Sequence, residues 1–377
     1  MTCKFTINNR RHTQRGAILI ISVTLLLTLM SLVTLHTSRV KSLEYKIILN
    51  NQNYIQAMAA AKGGLAHGFT LTRQESNWLG EQKDLTPAGY GRASVTAVFT
   101  PIPRNTLMLK LVTITSTGFS NDGLAEVTLS EQGLRVPIVA VVPPAPFISA
   151  KGLTDDIAVQ LAANPNGGGV GVPISLWTAN QNDLSVSDAH TCTLQAFDEQ
   201  GCHLQSHTRS EQAGVDIVDD GVDFPSDLLK YLFNTVSEEW ASLKGTVDLN
   251  VNSCAEVPWQ QSRSIWVSGD CSLSYGQTLG STNEPVVLIV ESGNLLMAST
   301  SMIYGLVLMF RPTDTLHAYG VRMEDSAYIN GALITNNSLD DALSSIRVRY
   351  DFGALNRLIR DEKLQRLARV PGSWRDF

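Results

Sequence analysis

Charged side chains are scarce in this chain of 377 residues. They make up 17% of the residues, against about 25% in typical soluble domains, while apolar residues make up 44%. A chain this apolar is not disordered throughout, and the shortage of charge predicts contact with a membrane or an assembly. The net charge of −6 argues against nucleic acid as a partner. The length predicts two or three domains.

Acidic residues are absent from positions 1–16, which contain four cations. They are Lys4, Arg10, Arg11 and Arg15. Removing this leader would change the net charge from −6 to −10. The basic charge of the chain is therefore concentrated in front of a long apolar segment, and this arrangement predicts a cytoplasmic N-terminus and a translocated remainder.

No charge interrupts the segment from Ala17 to Leu35. A helix of this length is about 28 Å long, close to the thickness of the hydrocarbon core of a bilayer. A cleaved secretory signal is the alternative, but its apolar region is usually shorter and ends in a small-x-small site. Apolar residues then recur at spacings of three, four or seven from Val40 to Leu65, which predicts an amphipathic continuation to about residue 62, before Gly63-Gly64.

The basic leader, Gln14-Arg15-Gly16, the apolar helix and its amphipathic continuation together resemble the type IV prepilins, and most of all the PilX-type minor pilins. The resemblance implies that a prepilin peptidase cuts after Gly16 and that Ala17 becomes an N-methylated first residue. It also implies other pilins, minor pilins and an inner-membrane pilus assembly platform as partners.

One position departs from the pattern of the major pilins. They carry Glu at the fifth mature position, where it neutralises the N-terminal ammonium of a neighbouring subunit, whereas this chain has Ile21 there. An unpaired ammonium in apolar surroundings is costly. The departure leads to the hypothesis that the protein lies at or near a pilus tip, or in an initiating complex, rather than along the shaft.

Short alternating runs follow the helix. Three candidate strands at 93–100, 108–116 and 124–129, with a hairpin signal at Asn121-Asp122-Gly123, predict a small antiparallel sheet packed on the helix. The segment Val139 to Pro146 is proline-rich and predicts a stiff linker.

Beyond Phe147, short apolar runs alternate with Gly, Asn and Ser corners. This spacing suits a parallel β-helix, and a β-sandwich is the alternative. Segments 164–177, 223–233 and 369–377 resemble segments of large PilX-like proteins whose C-terminal half is β-helical. The expected class is α+β, with a long transmembrane and then amphipathic helix, a small antiparallel sheet, and a mainly-β C-terminal region that forms a parallel β-helix.

Four of the five cysteines follow the leader. An even number in an oxidising compartment predicts disulfides, and among three possible connectivities the pairs Cys192-Cys202 and Cys254-Cys271 close the shortest loops. A zinc site at His190, Cys192, Cys202, His203 and His207 is the alternative, but the finger-like CxxC and HxxxH spacings are absent. Exposed histidines beside a disulfide are the preferred interpretation.

An acidic cluster precedes a predicted helix at 227–233. Asp216, Asp219, Asp220 and Asp223 are weak calcium candidates, since the spacing and terminal Glu of an EF-hand are missing; a solvated acidic loop is preferred. The glycine run at 167–171 lacks the Lys-Ser/Thr of a phosphate-binding loop, and no base accompanies Gly269-Asp-Cys-Ser272. We therefore predict no catalytic residues, metal or cofactor.

The expected division of the chain is a prepilin leader at 1–16, the helix at 17–75, the small sheet and linker at 76–145, and the extracytoplasmic β-helix at 146–377. The expected function is that of a non-enzymatic minor pilin or pilus assembly protein acting in pilus initiation, tip structure or adhesion. It would lie first in the inner membrane, single-pass, and then in the periplasm and pilus. A tip pseudopilin of a type II secretion system is the alternative. A membrane-anchored β-helix enzyme acting on polysaccharide through grooved carboxylates is a more distant one.

Overall fold

A computed structural model describes residues 15–74, 81–86, 92–102, 109–154, 157–182, 189–202, 216–219, 221, 223–257, 263–313, 317–340 and 343–376. In chain order the helices are α1 (Arg15–Gln74), α2 (Leu194–Gln200), α3 (Leu228–Phe233), α4 (Trp240–Lys244) and α5 (Phe352–Arg360). The strands are β1 (Glu81–Leu85), β2 (Ala93–Pro101), β3 (Lys110–Phe119), β4 (Glu126–Pro137), β5 (Phe147–Ser149), β6 (Ala158–Ala162), β7 (Leu176–Thr178), β8 (Ala189–Cys192), β9 (Ile217–Val218), β10 (Leu249–Val251), β11 (Ser264–Ser268), β12 (Cys271–Leu273), β13 (Thr278–Leu279), β14 (Val286–Glu291), β15 (Leu295–Met297), β16 (Met302–Phe310), β17 (Val321–Met323), β18 (Tyr328–Thr335), β19 (Ser345–Arg349), β20 (Gln365–Arg369) and β21 (Arg375–Asp376). The expected α+β class is confirmed.

Helix α1 continues through Gly63-Gly64, where the periodicity predicts the amphipathic helix to end, and reaches Gln74. The glycines in its last turns allow close packing and do not end it. A Cβ atom at Gly64 would overlap Ser116 of β3, and one at Gly68 would overlap Val95 of β2. The absence of side chains here lets the helix backbone lie directly on the small sheet.

The small sheet has the order β1-β2-β3-β4-β20, with β21 also paired to β4, and all of its pairings are antiparallel. Buried side chains alternate with partly exposed ones along β4, since one sheet face packs on α1 and the other faces solvent. The buried face includes Val112, Ile114 and Leu129. This sheet confirms the predicted antiparallel element.

The last two strands differ from the expected division, which placed residues 146–377 in the β-helix. Strands β20 and β21 both pair with β4 of the small sheet. Arg369 of β20 stacks over the ring of Phe69 of α1, with 4.4 Å from the guanidinium carbon to the ring centroid, and its Nη1 lies 3.3 Å from an oxygen of Glu131. The C-terminus therefore completes the sheet that packs on α1.

The second sheet has 15 strands, and all of its pairings are parallel. It curls on itself in successive coils, as in a β-helix. Its strands form three ladders, each a row of hydrogen-bonded strands from successive coils. The first ladder has the order β10-β11-β14-β16-β18-β5-β7-β9. The second contains β12, β15, β17 and the start of β19, and the third contains β13, β16, β18, β19, β6 and β8. The side chains that point inward form one large apolar core.

The order of the first ladder shows an unusual chain path. The chain enters this sheet at β5 beside β18, extends the stack to β9, then passes through α3 and α4 to the opposite end at β10 and returns coil by coil to β18. Entry and exit of the chain are thus adjacent in the middle of the stack. This places β4 and β20, the strands on either side of the β-helix in sequence, close enough to pair.

The central strands of the first ladder, β11, β14, β16, β18 and β5, are buried on both faces, which explains their continuous apolar runs. Their outward side chains, including Trp266 and Leu308, pack against α3, α4, α5 and the segment before β5. Within that segment Val139 and Ala145 are fully buried. The sequence predicts that the proline-rich stretch at 139–146 is a stiff linker. That prediction is wrong, because the stretch is packed in the core.

Glycine forms one corner of the coils. Gly280, Gly305 and Gly331 have positive φ values of 74°, 135° and 150°, and Gly305 pairs in register with Gly331. A Cβ atom at Gly331 would overlap the carbonyl oxygen of Gly305. Only glycine allows neighbouring coils to approach this closely at the turn between the third and first ladders.

Candidate functional site

The N-terminal part of α1 lies outside the body of the protein. Every described side chain from residue 18 to residue 50 is exposed, and large apolar ones such as Ile18 and Leu32 have 66% and 69% of their surface accessible. An uninterrupted row of apolar side chains in water is unfavourable. This segment requires lipid or other apolar helices around it, and α1 is long and apolar enough to cross a membrane.

The polar residues of the segment are compatible with an apolar environment. Their hydroxyl groups donate hydrogen bonds back to helix carbonyl oxygens: Ser22 to Leu19, Thr24 to Ile20, Thr28 to Leu25, Thr34 to Ser31 and Thr37 to Val33. These bonds satisfy the hydroxyls within the helix itself. These five hydroxyl groups, all between residues 22 and 37, can therefore lie in hydrocarbon with their hydrogen bonds satisfied.

Gly16 and Ala17 lie in the first turn of α1, where the sequence predicts processing. Ile21 is exposed, with 63% of its surface accessible. The first carboxylate after position 16 is Glu44, far along the helix from its start. Helix α1 therefore has no acidic side chain near Ile21.

Helix α1 changes from exposed to buried at Ala57. Ala57, Ala60 and Ala61 have no accessible surface, and a Cβ atom at Gly118 of β3 would overlap the backbone of Ala57 and Ala61. Small residues on the helix and glycine on the strand allow this close contact. The body of the protein therefore buries the helix from residue 57 onward, with hydrogen bonds between the side chains of Asn53 and Gln56 and the turn at 121–122 just before it, and leaves residues 18–50 exposed.

The acidic cluster does not converge in the described part of the chain. Asp216 is 1% exposed and accepts a hydrogen bond of 2.7 Å from Ser175, while an oxygen of Asp219 lies 3.5 Å from the backbone nitrogen of Asn182. Asp223 is exposed, and Asp220 lies outside the described residues. Among described residues, no group of three or more His, Cys, Asp or Glu side chains is placed to hold a metal ion.

Asp227 has a structural role at the start of α3. Its carboxylate accepts hydrogen bonds from the backbone nitrogen atoms of Lys230 and Ser237 at 3.0 and 2.9 Å, and from the Ser237 hydroxyl at 2.7 Å. Burial raises the pKa of this carboxyl, but these hydrogen bonds outweigh it and the pKa is lowered. Asp227 is the N-cap of α3, so the helix begins one residue later than the predicted 227–233.

The structure contains two disulfides, Cys192-Cys202 and Cys254-Cys271, with Cα atoms 5.3 and 4.7 Å apart. The first closes the segment of α2, and the second lies in the main core of the β-helix. In the zinc alternative His190 lies in β8, while His203 and His207 fall outside the described residues. With both sulfur atoms in a disulfide, the two thiolates of that alternative are not available.

The motif at 269–272 and the glycine run at 167–171 both lie at turns of the chain. In Gly269-Asp-Cys-Ser272, the Asp270 carboxylate accepts hydrogen bonds from the backbone nitrogen and side-chain amide of Asn294 on the next coil, at 2.7 and 3.1 Å. In the glycine run, Gly169 and Gly171 have positive φ values, as in a tight turn. Both motifs thus shape corners of the chain.

The ion pair between Arg349 and Asp198 was not predicted from the sequence. Arg349 of β19 donates two hydrogen bonds, of 2.6 and 2.8 Å, to the carboxylate of Asp198 in α2. The Arg349 guanidinium lowers the pKa of Asp198, and Asp198 in turn raises the pKa of Arg349. The two residues are far apart in sequence, and only the register of β6, β8 and β19 brings them together.

An exposed apolar helix that continues into an α+β body defines a membrane-anchored protein built around one N-terminal helix. Residues 15–66 match the family model of the PilX N-terminal domain. The chain therefore carries a PilX N-terminal domain, and the resemblance noted in the sequence is confirmed for this segment. The matched segment contains the exposed part of α1 and the first residues that the sheet buries.

Comparison with solved structures gives the competence-associated pilin ComZ from Thermus thermophilus, 12% identical, in a match that covers 86% of this chain and 97% of that chain with a TM-score of 0.21. At this TM-score the likeness carries no argument about fold or function. No curated protein matches the chain.

Proposed function

We propose that the protein is a non-enzymatic minor pilin or pilus assembly protein of a type IV pilus. The observation that carries the proposal is the exposed apolar half of α1 within a PilX N-terminal domain. Such a helix packs among other apolar helices, first in the inner membrane and then among the pilins of a filament. The acidic remainder of the chain, with its β-helix, is exported as a surface for tip structure or adhesion.

Processing begins the proposed pathway. A prepilin peptidase removes residues 1–16 on the cytoplasmic side and leaves Ala17 as an N-methylated first residue. Gly16 is the determinant of this cut. Replacing it by Leu places a branched side chain at the cleavage position, and the chain then stays as an uncut precursor in the membrane.

The test compares Gly16→Leu with Gly123→Ala as a control. Gly123 lies in an open turn, with no atom within 4 Å of the position that a Cβ atom would take, so its substitution does not touch the leader. Mass spectrometry of the N-terminal peptide is expected to find mature methylated Ala17 in the control and an intact leader in Gly16→Leu. Normal processing of Gly16→Leu would contradict the assignment.

Ile21 supports a position at the tip or in an initiating complex. Without a carboxylate at this position the subunit has no partner for the N-terminal ammonium of a neighbour, so repeated stacking along the shaft is disfavoured. Ile21→Glu restores the carboxylate and is expected to move protein into the shaft. Immunogold labelling at regular spacing along filaments of the unaltered protein would overturn the tip position.

The same missing carboxylate fits a tip pseudopilin of a type II secretion system. Deleting the gene separates the two systems: loss of pili with normal protein secretion supports the pilus, whereas loss of secretion with normal pili supports the pseudopilin. In the pilus case, the other pilins and the inner-membrane assembly platform are recovered with the protein after cross-linking.

A further inference from the structure

Three cations follow the apolar segment of α1 before the helix reaches the body of the protein. Arg39, Lys41 and Lys46 lie on the exposed stretch of the helix. None of them forms an ion pair in the part of the chain that the structure describes. Three cations against one carboxylate, Glu44, give residues 36–50 a net charge of +2, although the whole chain is acidic.

The depth of these cations relative to a membrane follows from helix geometry. A helix rises about 1.5 Å per residue, so Arg39 and Lys41 lie about 6 and 9 Å beyond Leu35, where the apolar segment ends. The headgroup region on one side of a bilayer is about 5 to 8 Å thick. When residues 17–35 fill the hydrocarbon core, Arg39 therefore lies within the headgroup region and Lys41 at its outer boundary.

The direction of the side chains brings both charges closer to the lipid. Side chains of an α-helix tilt toward its N-terminus, which here is toward the membrane. Long cationic side chains near the end of a spanning helix reach the interface in this way. Lys46 lies about 16 Å beyond Leu35, which is too far for its side chain to reach back to the headgroups.

The protein itself offers little negative charge at this depth. Glu44 is the one carboxylate of α1 and lies about 13 Å beyond Leu35, outside the headgroup region. Asn53, whose amide donates a hydrogen bond of 2.7 Å to Asp122 of the body, lies about 18 Å farther along the helix than Lys41. Arg39 and Lys41 thus need anions from outside the chain.

We propose that Arg39 and Lys41 bind the phosphate groups of anionic phospholipids in the leaflet on the translocated side of the membrane. Guanidinium and ammonium groups form charge-assisted hydrogen bonds with phosphate oxygens, Arg through two parallel bonds and Lys as a point charge. An anionic lipid is favoured, because a zwitterionic headgroup carries its own cation beside the phosphate. The depth favours lipid over an acidic protein, since phosphate groups surround the helix at this level.

The inference rests on the proposed function for the position of α1 across a membrane. Flotation of the full-length protein with lipid vesicles checks that position separately. Flotation without a preference for anionic lipid would reject this inference alone. Failure to float would reject the membrane position as well, and with it the proposed function.

The test measures lipid preference by electron paramagnetic resonance. Spin-labelled phosphatidylglycerol or phosphatidylcholine is placed in the outer leaflet of vesicles that carry the full-length protein with its body outside, and the fraction of label immobilised by the protein is compared. Arg39→Gln and Lys41→Gln are each expected to lower the preference for phosphatidylglycerol by up to about fivefold, and the double variant should abolish it. Exchanging the two cations, Arg39→Lys/Lys41→Arg, should retain the preference.

Lys46→Gln is the matched control, because it removes the same charge from the same exposed stretch of helix at a greater distance from the membrane. Its preference should stay close to that of the unaltered protein. An equal decrease in Lys46→Gln would show attraction by overall charge and would overturn the inference. A preference that survives the double variant would show that other residues bind the lipid, and loss of the preference in inorganic phosphate, but not in chloride of equal ionic strength, would show a site for soluble anions.

Discussion

The two sheets of this protein are stabilised in different ways. The small antiparallel sheet has one face covered by α1, and β20 and β21 from the end of the chain extend the sheet by pairing with β4. The first ladder of the β-helix is covered on both faces, inside by its own core and outside by α3, α4 and α5. The small sheet depends on segments from distant parts of the chain, whereas the β-helix stacks coil on coil, with one junction between remote segments where β5 and β6 pair with β18 and β19.

The two sheets therefore have different structural roles. The small sheet fixes α1 where it becomes buried, at Ala57, so damage to this sheet should loosen the helix that anchors the protein. The β-helix owes its stability to repeated contacts between neighbouring coils. Damage to one coil should spread through the stack and leave the small sheet less affected.

The largest effect is expected for Gly331→Ala. A methyl group there would overlap the carbonyl of Gly305, at a φ of 150° that alanine does not readily adopt. We expect a loss of more than about 4 kcal/mol in the free energy of unfolding of the β-helix, measured by urea unfolding of the full-length protein. Gly123→Ala, in an open turn with a φ of 72°, is the control, with an expected loss of about 1 kcal/mol.

Equal losses in Gly331→Ala and Gly123→Ala would show that backbone conformation alone matters, and that close approach of the coils does not. A larger loss for Gly331→Ala would locate the cost in the contact between coils. Hydrogen exchange then decides whether the change spreads along the β-helix while β2 and β3 keep their protection.

Deleting residues 365–377 tests how far the small sheet depends on the end of the chain. The deletion removes β20 and β21, exposes the edge of β4, and removes the contact of Arg369 with Phe69. We expect the small sheet to lose roughly 2 to 4 kcal/mol of local stability while the β-helix keeps its own. Hydrogen exchange of segments 93–137 and 264–335 measures both.

Deleting only residues 371–377 is the control for this truncation, because it spares β20. Its effect on the small sheet should be smaller. If the longer deletion instead loosened the β-helix as much as the small sheet, the two sheets would unfold as one unit and the comparison would fail.

The features that the sequence predicted are those formed by local patterns. The apolar helix from Ala17, the candidate strands at 93–100 and 108–116, and the hairpin signal at Asn121-Asp122-Gly123 follow from periodicity and turn chemistry. The structure has the two strands at Ala93–Pro101 and Lys110–Phe119. The parallel coils were predicted from short apolar runs between Gly, Asn and Ser corners and from the resemblance to large PilX-like proteins. Pairing of Cys192 with Cys202 was proposed from loop length, and the structure contains that pair.

The features that the sequence did not predict depend on distant partners. Gly63-Gly64 was interpreted as a helix end, but glycine in α1 serves close packing on β2 and β3. The segment 139–146 was interpreted as a linker, because proline content does not reveal that Val139 is buried. The pairing of β20 with β4 and the ion pair between Asp198 and Arg349 both depend on register between remote segments, which no local pattern encodes.

The second disulfide tests how far the β-helix depends on a covalent link at its first coils. Cys254→Ser leaves Cys271 in the main core without its partner and is expected to cost about 2 to 3 kcal/mol, measured by urea unfolding. Reducing the unaltered protein should give a similar loss. A peptide map without reductant should contain both Cys192-Cys202 and Cys254-Cys271, and four free thiols in the folded protein would contradict the assignment.

The smallest effect is expected at the contact between α2 and β19. Hydrogen bonds from Arg349 lower the pKa of Asp198, so the pair contributes stability above the ordinary aspartate pKa of about 3.9 and loses it as the pH falls through the lowered value. Since half of the Asp198 side chain is exposed, the contribution should be under about 1 kcal/mol.

Hydrogen exchange of α2 between pH 2.5 and 6, corrected for the intrinsic exchange rate, measures this contact. Protection of α2 should decrease toward the acid end in the unaltered protein, because a protonated Asp198 no longer attracts Arg349. Asp198→Asn should show weaker protection with no such dependence. If both proteins lost protection of α2 at the same pH, the ion pair would not contribute, and the Cys192-Cys202 disulfide and the packing of Phe197 on Tyr328 would hold the helix without it.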